Sequence, residues 1–216
     1  MSLPLLLSGL VGATLTWRQQ QQALADVQLA RADASALRIQ QFLREIELQL
    51  RGLALLPWTA DSAAQRRQDA LRVLRLAPAI SDIVLIDADG RERLAESRLE
   101  LSRRDTLSDR SASPAVAGAR TRGAFHSDVT FRRDSEPFMT IAVAGAAGGV
   151  AIAEVSLKHI WDVVSTIRVG ESGIAYVVDP TGRLIAHPDI QLVLRNTDLS
   201  ATLRAFAAGT AGPPTA

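Results

Sequence analysis

The longest regular pattern in the chain is helical. Residues 18–56 contain no proline, and their apolar side chains recur at steps of three and four, with charged and amide side chains between them. The repeating apolar positions are Ile39, Phe42, Ile46, Leu50 and Leu53. This spacing is typical of an amphipathic helix, which we predict over 18–57. A helix of roughly 38 residues is about 57 Å long, so part of it must project from a small domain or pair with a partner helix.

Residues 1–17 precede this helix and carry no charged side chain. A helix that spans a bilayer needs about 20 apolar residues, so this segment is slightly short. Three interpretations stay open: a transmembrane helix that lacks its upstream residues, the core of a signal peptide without its basic start, or a buried helix. Trp17 followed by Arg18 is typical of a membrane interface, and we favour the transmembrane helix. Either of the first two interpretations would put the rest of the chain outside the cytoplasm.

Beyond this region the pattern changes from helical to strand-like. A second helix is expected over 62–77, with Ser62 and Gln65 at the spacing of a capping box. Short apolar or alternating runs then follow, joined by glycine and proline turns and by a polar, serine-rich loop over 97–123. The predicted strands are 83–86, 124–131, 138–144 and 150–155, and a further helix is predicted over 156–167. Two leading helices before short strands predict an α+β fold with an antiparallel sheet.

One short stretch occurs twice. Ile83–Arg91, IVLIDADGR, aligns with Ala175–Arg183, AYVVDPTGR, at an offset of 92 residues, and each copy follows a predicted helix. Asp followed three residues later by Gly favours a tight turn, because the carboxylate accepts backbone N–H groups and glycine takes the left-handed conformation. The predicted turn residues are Asp87, Gly90, Asp179 and Gly182. They need no catalytic role, and the repeat suggests two copies of one module.

Composition narrows the classes of function. The chain has 24 basic and 23 acidic residues and a net charge of +1, which gives no overall attraction for nucleic acid. It has no cysteine, so disulfides and thiolate metal sites are excluded. The three histidines lie in different segments, and Asp87–Asp89 departs from the spacing of a calcium loop. We therefore predict neither a metal nor a cofactor.

The sequence also lacks common catalytic motifs. No G-x-S-x-G nucleophile motif occurs, and the glycine-rich stretch 145–149 is not followed by the Lys-Ser/Thr of a phosphate-binding loop. An enzyme is therefore not expected within these residues. The alternative that stays open is a secreted hydrolase that uses a histidine with a nearby aspartate. The candidate pairs are His126 or His187 with Asp128 or Asp189.

The polar segment 97–123 is the best candidate for binding. A long loop between the strands of a small domain is often functional, and neighbouring arginines can hold a carboxylate or phosphate with paired hydrogen bonds. Polar residues on adjacent strands would complete such a site. The predicted ligand-binding residues are Arg103, Arg104, Asp105, Ser127, Asp128 and Thr140. The alternative is a solvated surface loop.

Taken together, these stretches resemble the double Cache, or tandem PAS-like, extracellular sensor domain of bacterial histidine kinases, chemoreceptors and nucleotide cyclases. The resemblance covers 18–200, and its most specific part is 170–189, which reads G-x-x-G-x-x-x-x-V-D-x-x-G-x-L-I-A-H-P-D. It implies that the long helix backs a PAS-like antiparallel sheet. The implied parts are a membrane-distal module over 58–155, a connecting helix over 156–169 and a membrane-proximal module. The last of these is expected to be incomplete, over 170–206, because 47 residues remain from Gly170. The composition of 207–216 departs from the family and predicts a disordered tail.

The resemblance also implies how such a domain works. A small molecule, such as a carboxylate or an amino acid, enters the pocket of the distal module, whose closure displaces the helices that run to the membrane. The amino-acid-sensing members carry an Arg-x-Trp signature that this sequence lacks, which leaves the ligand open. We expect a homodimer through the long helix, an anchor in the bacterial inner membrane, a sensor part in the periplasm or outside the cell, and an output domain outside this chain. A structural coiled-coil adaptor with a small β head is the remaining alternative.

Overall fold

The structure of the chain is a computed structural model that describes residues 3–55, 58–59, 61–98, 103–104, 108–132, 136–169, 173–179, 182–195 and 197–208. The helices are α1 (Leu3–Ala54), α2 (Ala63–Leu76), α3 (Pro114–Arg122), α4 (Lys158–Thr166), α5 (Ile190–Leu194) and α6 (Ser200–Ala207). The strands are β1 (Ile80–Ile86), β2 (Glu92–Ser97), β3 (Arg103–Arg104), β4 (Ala124–His126), β5 (Thr130–Arg132), β6 (Glu136–Ala144), β7 (Val150–Ser156), β8 (Arg168–Val169), β9 (Gly173–Ile174), β10 (Val177–Val178) and β11 (Leu184–Ala186). The predicted α+β fold is confirmed.

The long N-terminal helix forms as predicted and begins earlier than expected. Helix α1 runs without a break from Leu3, and its last turn buries Leu50 and Leu53 against the sheet, as the apolar stripe indicates. Phe42 and Leu43 extend this packed face toward the middle of the helix. Among the residues that the structure describes, no helix contains a stretch long and apolar enough to cross a bilayer.

Seven strands in the described residues form one antiparallel sheet with the order β3-β2-β1-β7-β6-β4, and β5 pairs with β6 beside β4. Side chains alternate between the two faces of each strand. Ile83 of β1 and Ala153 of β7 face α1 and α2, where they belong to the main hydrophobic core. The opposite face carries Val84 and Ile152, and this second face holds the candidate site.

Helix α3 covers part of that second face and corrects the expectation of a loop throughout 97–123. It begins after Ser113 with a proline, ends at Gly123, and packs Val116 and Ala119 against the cluster that Ile86 and Val150 form on the sheet. Its sequence, PAVAGARTR, is built from small residues without a strong apolar period, which is why the pattern does not reveal it.

Two smaller expectations are also wrong. The hydroxyl of Ser62 does not cap α2 but bonds back to Thr59, and the amide of Gln65 bonds to Asp69, so no capping box forms. The strand predicted over 124–131 is two strands, because residues 127–129 leave the sheet between β4 and β5.

The two repeated stretches form the same turn. In the first copy the Asp87 carboxylate accepts the N–H of Arg91 at 2.9 Å, and the N–H of Asp87 donates to the carbonyl of Arg91 at 3.0 Å. In the second copy Asp179 and Arg183 make the same two bonds at 3.0 and 2.9 Å. Gly90 has a φ of 86° and Gly182 a φ of 94°, both in the left-handed region that favours glycine.

The two copies stay alike beyond the turn, although the number of residues that separates their corresponding positions changes there. Arg91 bridges to Asp109 and Arg183 bridges to Asp198. Each aspartate then accepts an N–H two residues on, from Ser111 at 2.9 Å and from Ser200 at 2.7 Å. A helix follows both pairs, α3 in the first copy and α6 in the second. The duplicated unit is therefore a strand, a turn, a strand, a bridging loop and a helix.

Candidate ligand-binding site

A groove of about 410 Å³ lies where α3 leaves the second face of the sheet uncovered. Its floor is formed by three adjacent strands, β1, β7 and β6. The floor residues are Asp82, Val84, Ile86, Thr140, Ile152 and Glu154, and the walls are Arg110, Ser113, Pro114, Ala115, Phe125 and Ser127. The floor is apolar in the middle and acidic at one end.

The acidic end is set by strand register. Asp82 of β1 pairs with Glu154 of β7, which in turn pairs with Thr140 of β6, so the three side chains form a row across the sheet. The hydroxyl of Thr140 donates to Glu154 Oε1 at 2.5 Å, and the hydroxyl of Ser81 donates to Asp82 Oδ2 at 2.6 Å. Each carboxylate is thus fixed by a neutral donor as well as by its strand.

The charge of Asp82 is maintained in this position. Burial acts to raise the pKa of Asp82, but hydrogen bonds from Ser81 and Ser97 and the nearby guanidinium of Arg132 outweigh it and hold the pKa below its usual value. Asp82 is therefore ionised at neutral pH, which makes this end of the groove attractive to a cation.

Arg132 is the counter-ion of the acidic row. Its terminal nitrogen lies 3.1 Å from Asp82 Oδ2 and 3.6 Å from Glu154 Oε2, and its guanidinium stands 4.7 Å from the centre of the Phe138 ring. One guanidinium faces two carboxylates, so the row keeps an excess of negative charge.

The wall beside α3 has the opposite character. Arg110 lines the groove while its guanidinium pairs with Glu92 at 2.9 Å. Ser113, Pro114 and Ala115 form the start of α3, where backbone N–H groups carry the positive end of the helix dipole. The groove can therefore favour a molecule with a positive group and a negative group.

Two of the predicted binding residues lie in this groove. Ser127 and Thr140 both line it, and the Ser127 hydroxyl accepts the N–H of Thr140 at 2.8 Å. The side chain of Asp128 is 74% exposed, lies 3.8 Å from Arg183, and lines a different cavity of about 670 Å³ between α1 and the second copy.

The other three predicted binding residues lie on or beside the edge strand. Arg103 and Arg104 form β3, paired with Ala95 and Leu94 of β2, and nothing is described of their side chains. Asp105 lies outside the described residues. A binding role for these three residues stays a prediction.

Four charged residues at the groove are absent from the sequence-based prediction: Asp82, Arg110 and Glu154, which line it, and Arg132, which pairs with the two carboxylates. A signal for two of them was present. Asp82 stands within the strand ISDIVLI and Glu154 within VAIAEVS, each the one acidic residue of an otherwise largely apolar strand. A carboxylate in such a half-buried strand needs a partner, which marks the position as worth testing.

The histidines do not form the pairs that the hydrolase alternative requires. His126 Nε2 lies 2.9 Å from a carboxylate oxygen of Glu47 on α1. His187 is 3% exposed, and its Nδ1 accepts the backbone N–H of Asp189, whose own carboxylate caps α5. In the part of the chain that the structure describes, neither imidazole pairs with the carboxylate of Asp128 or Asp189. The hydrolase alternative is not favoured.

A long helix behind an antiparallel sheet, a groove on the far face and a second copy of the same turn are features of a sensor domain. The family model of the Cache domain matches residues 13–214. The chain therefore belongs to the Cache domain family, whose members are extracytoplasmic small-molecule sensor domains. No curated protein sequence matches the chain.

Solved structures of chemoreceptor ligand-binding domains share this fold. The domain of Campylobacter jejuni Tlp3, solved with 4-methylisoleucine, has a TM-score of 0.66 and 15% identity, covering 87% of this chain and 78% of that one. The domain of Pseudomonas aeruginosa PctC, solved with GABA, has a TM-score of 0.61 and 18% identity over 86% and 82%. The domain of Pseudomonas fluorescens CtaA, solved with L-serine, has a TM-score of 0.54 and 22% identity over 79% and 74%.

Proposed function

We propose that this domain binds a small solute with an ammonium group in the groove, as the sensor part of a bacterial membrane receptor. The observation that carries the proposal is the pair of carboxylates, Asp82 and Glu154, held side by side at the end of a cavity and compensated by one guanidinium. An ammonium group would be attracted by the excess negative charge of this pair and would donate to two acceptors.

The rest of the groove suits a compact zwitterion. A volume of about 410 Å³ is within the range of small-molecule sites. The apolar middle, with Val84 and Ile152, would contact a short aliphatic chain. The first turn of α3 would attract a carboxylate, and Arg110, whose charge is balanced by Glu92, would supply a hydrogen-bond donor beside it. The ligands solved with the related chemoreceptor domains, which include GABA and L-serine, carry both groups.

The test is a binding screen with a matched pair of variants. Calorimetry or thermal shift should be run with amino acids, ω-amino acids, alkylammonium salts and plain carboxylates. We expect hits that contain an ammonium group. Glu154→Gln should weaken such a hit about 10- to 100-fold, because a hydrogen bond to a charged group contributes about 1.5–3 kcal/mol. Glu45→Gln, an exposed change on α1, is the control and should bind like the unmodified protein.

Two results would contradict the proposal. If only carboxylates without an amine bind, the assigned ligand class is wrong. If an amine binds equally well to the unmodified protein and to Glu154→Gln, then its site lies elsewhere in the molecule.

We also propose that two copies pair through α1 and that its N-terminal end is directed to the inner membrane, with the sensor part in the periplasm. The exposed apolar side chains Leu37, Leu48 and Leu55 support a partner along this helix. Pairing would let closure of the groove change the packing of two helices, which is how a signal would leave the domain. Sedimentation of the chain should give a dimer, and Leu48→Arg should shift it to the monomer. A monomer at high protein concentration would refute the pairing.

A further inference from the structure

Strand β5 connects the groove with the second copy of the module. Successive side chains of a strand point to opposite faces. Arg132 of β5 contacts the acidic row of the groove. Its neighbour Phe131 packs against the cluster formed by Leu184, Val193 and Leu199 in the second copy. Two consecutive residues therefore contact the binding site on one face and the second module on the other.

The loop before β5 makes the same connection. The hydroxyl of Ser127 accepts the N–H of Thr140 on the groove floor. Two residues later, Val129 packs on the cluster of Leu157, Ile160 and Ala186, which joins α4 to the second copy. We call residues 127–132 the β5 segment.

The backbone attachment of the β5 segment to the sheet is slight. Strand β5 pairs with β6 over three residues, and Phe131 stands opposite Pro137, which has no N–H to donate. The position of the segment therefore depends strongly on its side-chain contacts, and Arg132 supplies the contacts to the groove.

The ion pairs of Arg132 are of the kind that a ligand can replace. The side chains of Arg132, Asp82 and Glu154 are 39%, 20% and 28% exposed, so water and solutes reach all three. Pairs with such exposure are individually weak. An ammonium group bound to the two carboxylates would compete with the guanidinium for the same oxygens.

We propose that Arg132 is the coupling residue of this sensor: its ion pairs hold the β5 segment, and through Phe131 the second module, in the unliganded packing. A ligand ammonium binds the two carboxylates in place of Arg132, which is released. The freed β5 segment then shifts the population of the second module toward a second packing. The displacement of Arg132 by a ligand rests on the function proposed above. The positioning of the β5 segment by the ion pairs of Arg132 does not.

The experiment measures amide hydrogen exchange without any ligand. Arg132→Gln should raise exchange over 184–199 about two- to fivefold, because local opening loses two weak ion pairs. Arg132→Lys keeps the cation and should restore most of the protection. The control is Arg75→Gln, which removes an exposed arginine of α2, the helix on the opposite face of the same sheet. This control should leave exchange over 184–199 unchanged.

Exchange in β1 and β7 separates local release from general unfolding. The proposal requires the rise in Arg132→Gln to be confined to the β5 segment and the second module. It is overturned if 184–199 exchanges at the unmodified rate, if exchange in β1 rises by the same factor, or if Arg75→Gln gives the same rise over 184–199.

A second arm adds n-propylammonium to the unmodified protein. We expect the added salt to raise exchange over 184–199 as Arg132→Gln does. If Arg132→Gln gives the rise and the ammonium salt does not, the ligand class is wrong while the coupling through Arg132 stands. If neither gives it, the coupling is wrong whatever the ligand is.

Discussion

Replacing Gly90 with alanine should destabilise the protein more than the same change at Gly123. Both glycines have a positive φ, 86° and 84°, which other residues rarely adopt, so alanine pays a conformational cost of about 1–2 kcal/mol at each site. The two sites differ in space. A Cβ at Gly90 would lie 2.7 Å from the Cβ and 3.0 Å from the Cα of Ser111, whereas a Cβ at Gly123 meets nothing within 4 Å.

The contact with Ser111 sets the expected difference. The backbone of Ser111 belongs to the loop that bridges back to the turn, so relief requires the chain to move, at about 1–3 kcal/mol. Gly123→Ala should therefore lower the free energy of unfolding by about 1–2 kcal/mol and Gly90→Ala by about 2–5 kcal/mol. Urea unfolding of both variants measures the difference between their free energies of unfolding. Because each variant replaces a glycine with alanine, the effects on the unfolded chain largely cancel in this difference. Equal losses would refute the close packing of turn and loop on which the duplicated unit depends.

Two further predictions concern the core and the turn carboxylate. Leu50→Ala should cost about 2.7–5 kcal/mol in urea unfolding because Leu50 is fully buried, whereas Leu76→Ala, at a position of α2 that is 72% exposed, should cost under about 1 kcal/mol; similar losses would contradict the burial of Leu50 against the sheet. Burial acts to raise the pKa of Asp87, but the N–H of Arg91 and the guanidinium of Arg93 outweigh it and hold that pKa below its usual value. Asp87 therefore stabilises the fold at any pH above the pKa of an unfolded aspartate, about 3.9. This stabilisation is lost as the pH falls through the pKa of Asp87 in the folded protein. Asp87→Asn should therefore flatten the acid side of a pH–stability curve, and an unchanged curve would show that the turn does not depend on the charge.

Periodicity along the chain was sufficient for the main elements. The spacing of Ile46, Leu50 and Leu53 predicts which face of α1 is buried, because one face of a helix must carry the core contacts. The repeated Asp-to-Gly pattern predicts the turns, because the chemistry of those turns is local. The repeat was seen for nine residues only, since the bridging loops differ in length and the offset changes after the turn.

The site was harder to predict because it depends on strand register. Asp82 and Glu154 are far apart in the sequence and meet only when β1 and β7 pair. Helix α3, whose start forms one wall of the groove, was missed because small residues give it little apolar period. Ser127 and Thr140, at the rim and floor next to a loop, were therefore predictable, whereas the carboxylates of Glu154 and Asp82, which continue the row beyond Thr140, were not.

A crystal structure of the domain with its best amine from the binding screen is the most direct measurement. We expect the ligand on the floor of the groove, with its nitrogen within about 3.2 Å of a carboxylate oxygen of Asp82 or Glu154. A ligand seated instead in the cavity between α1 and the second copy, or bound in the groove with its nitrogen remote from both carboxylates, would contradict the proposed recognition.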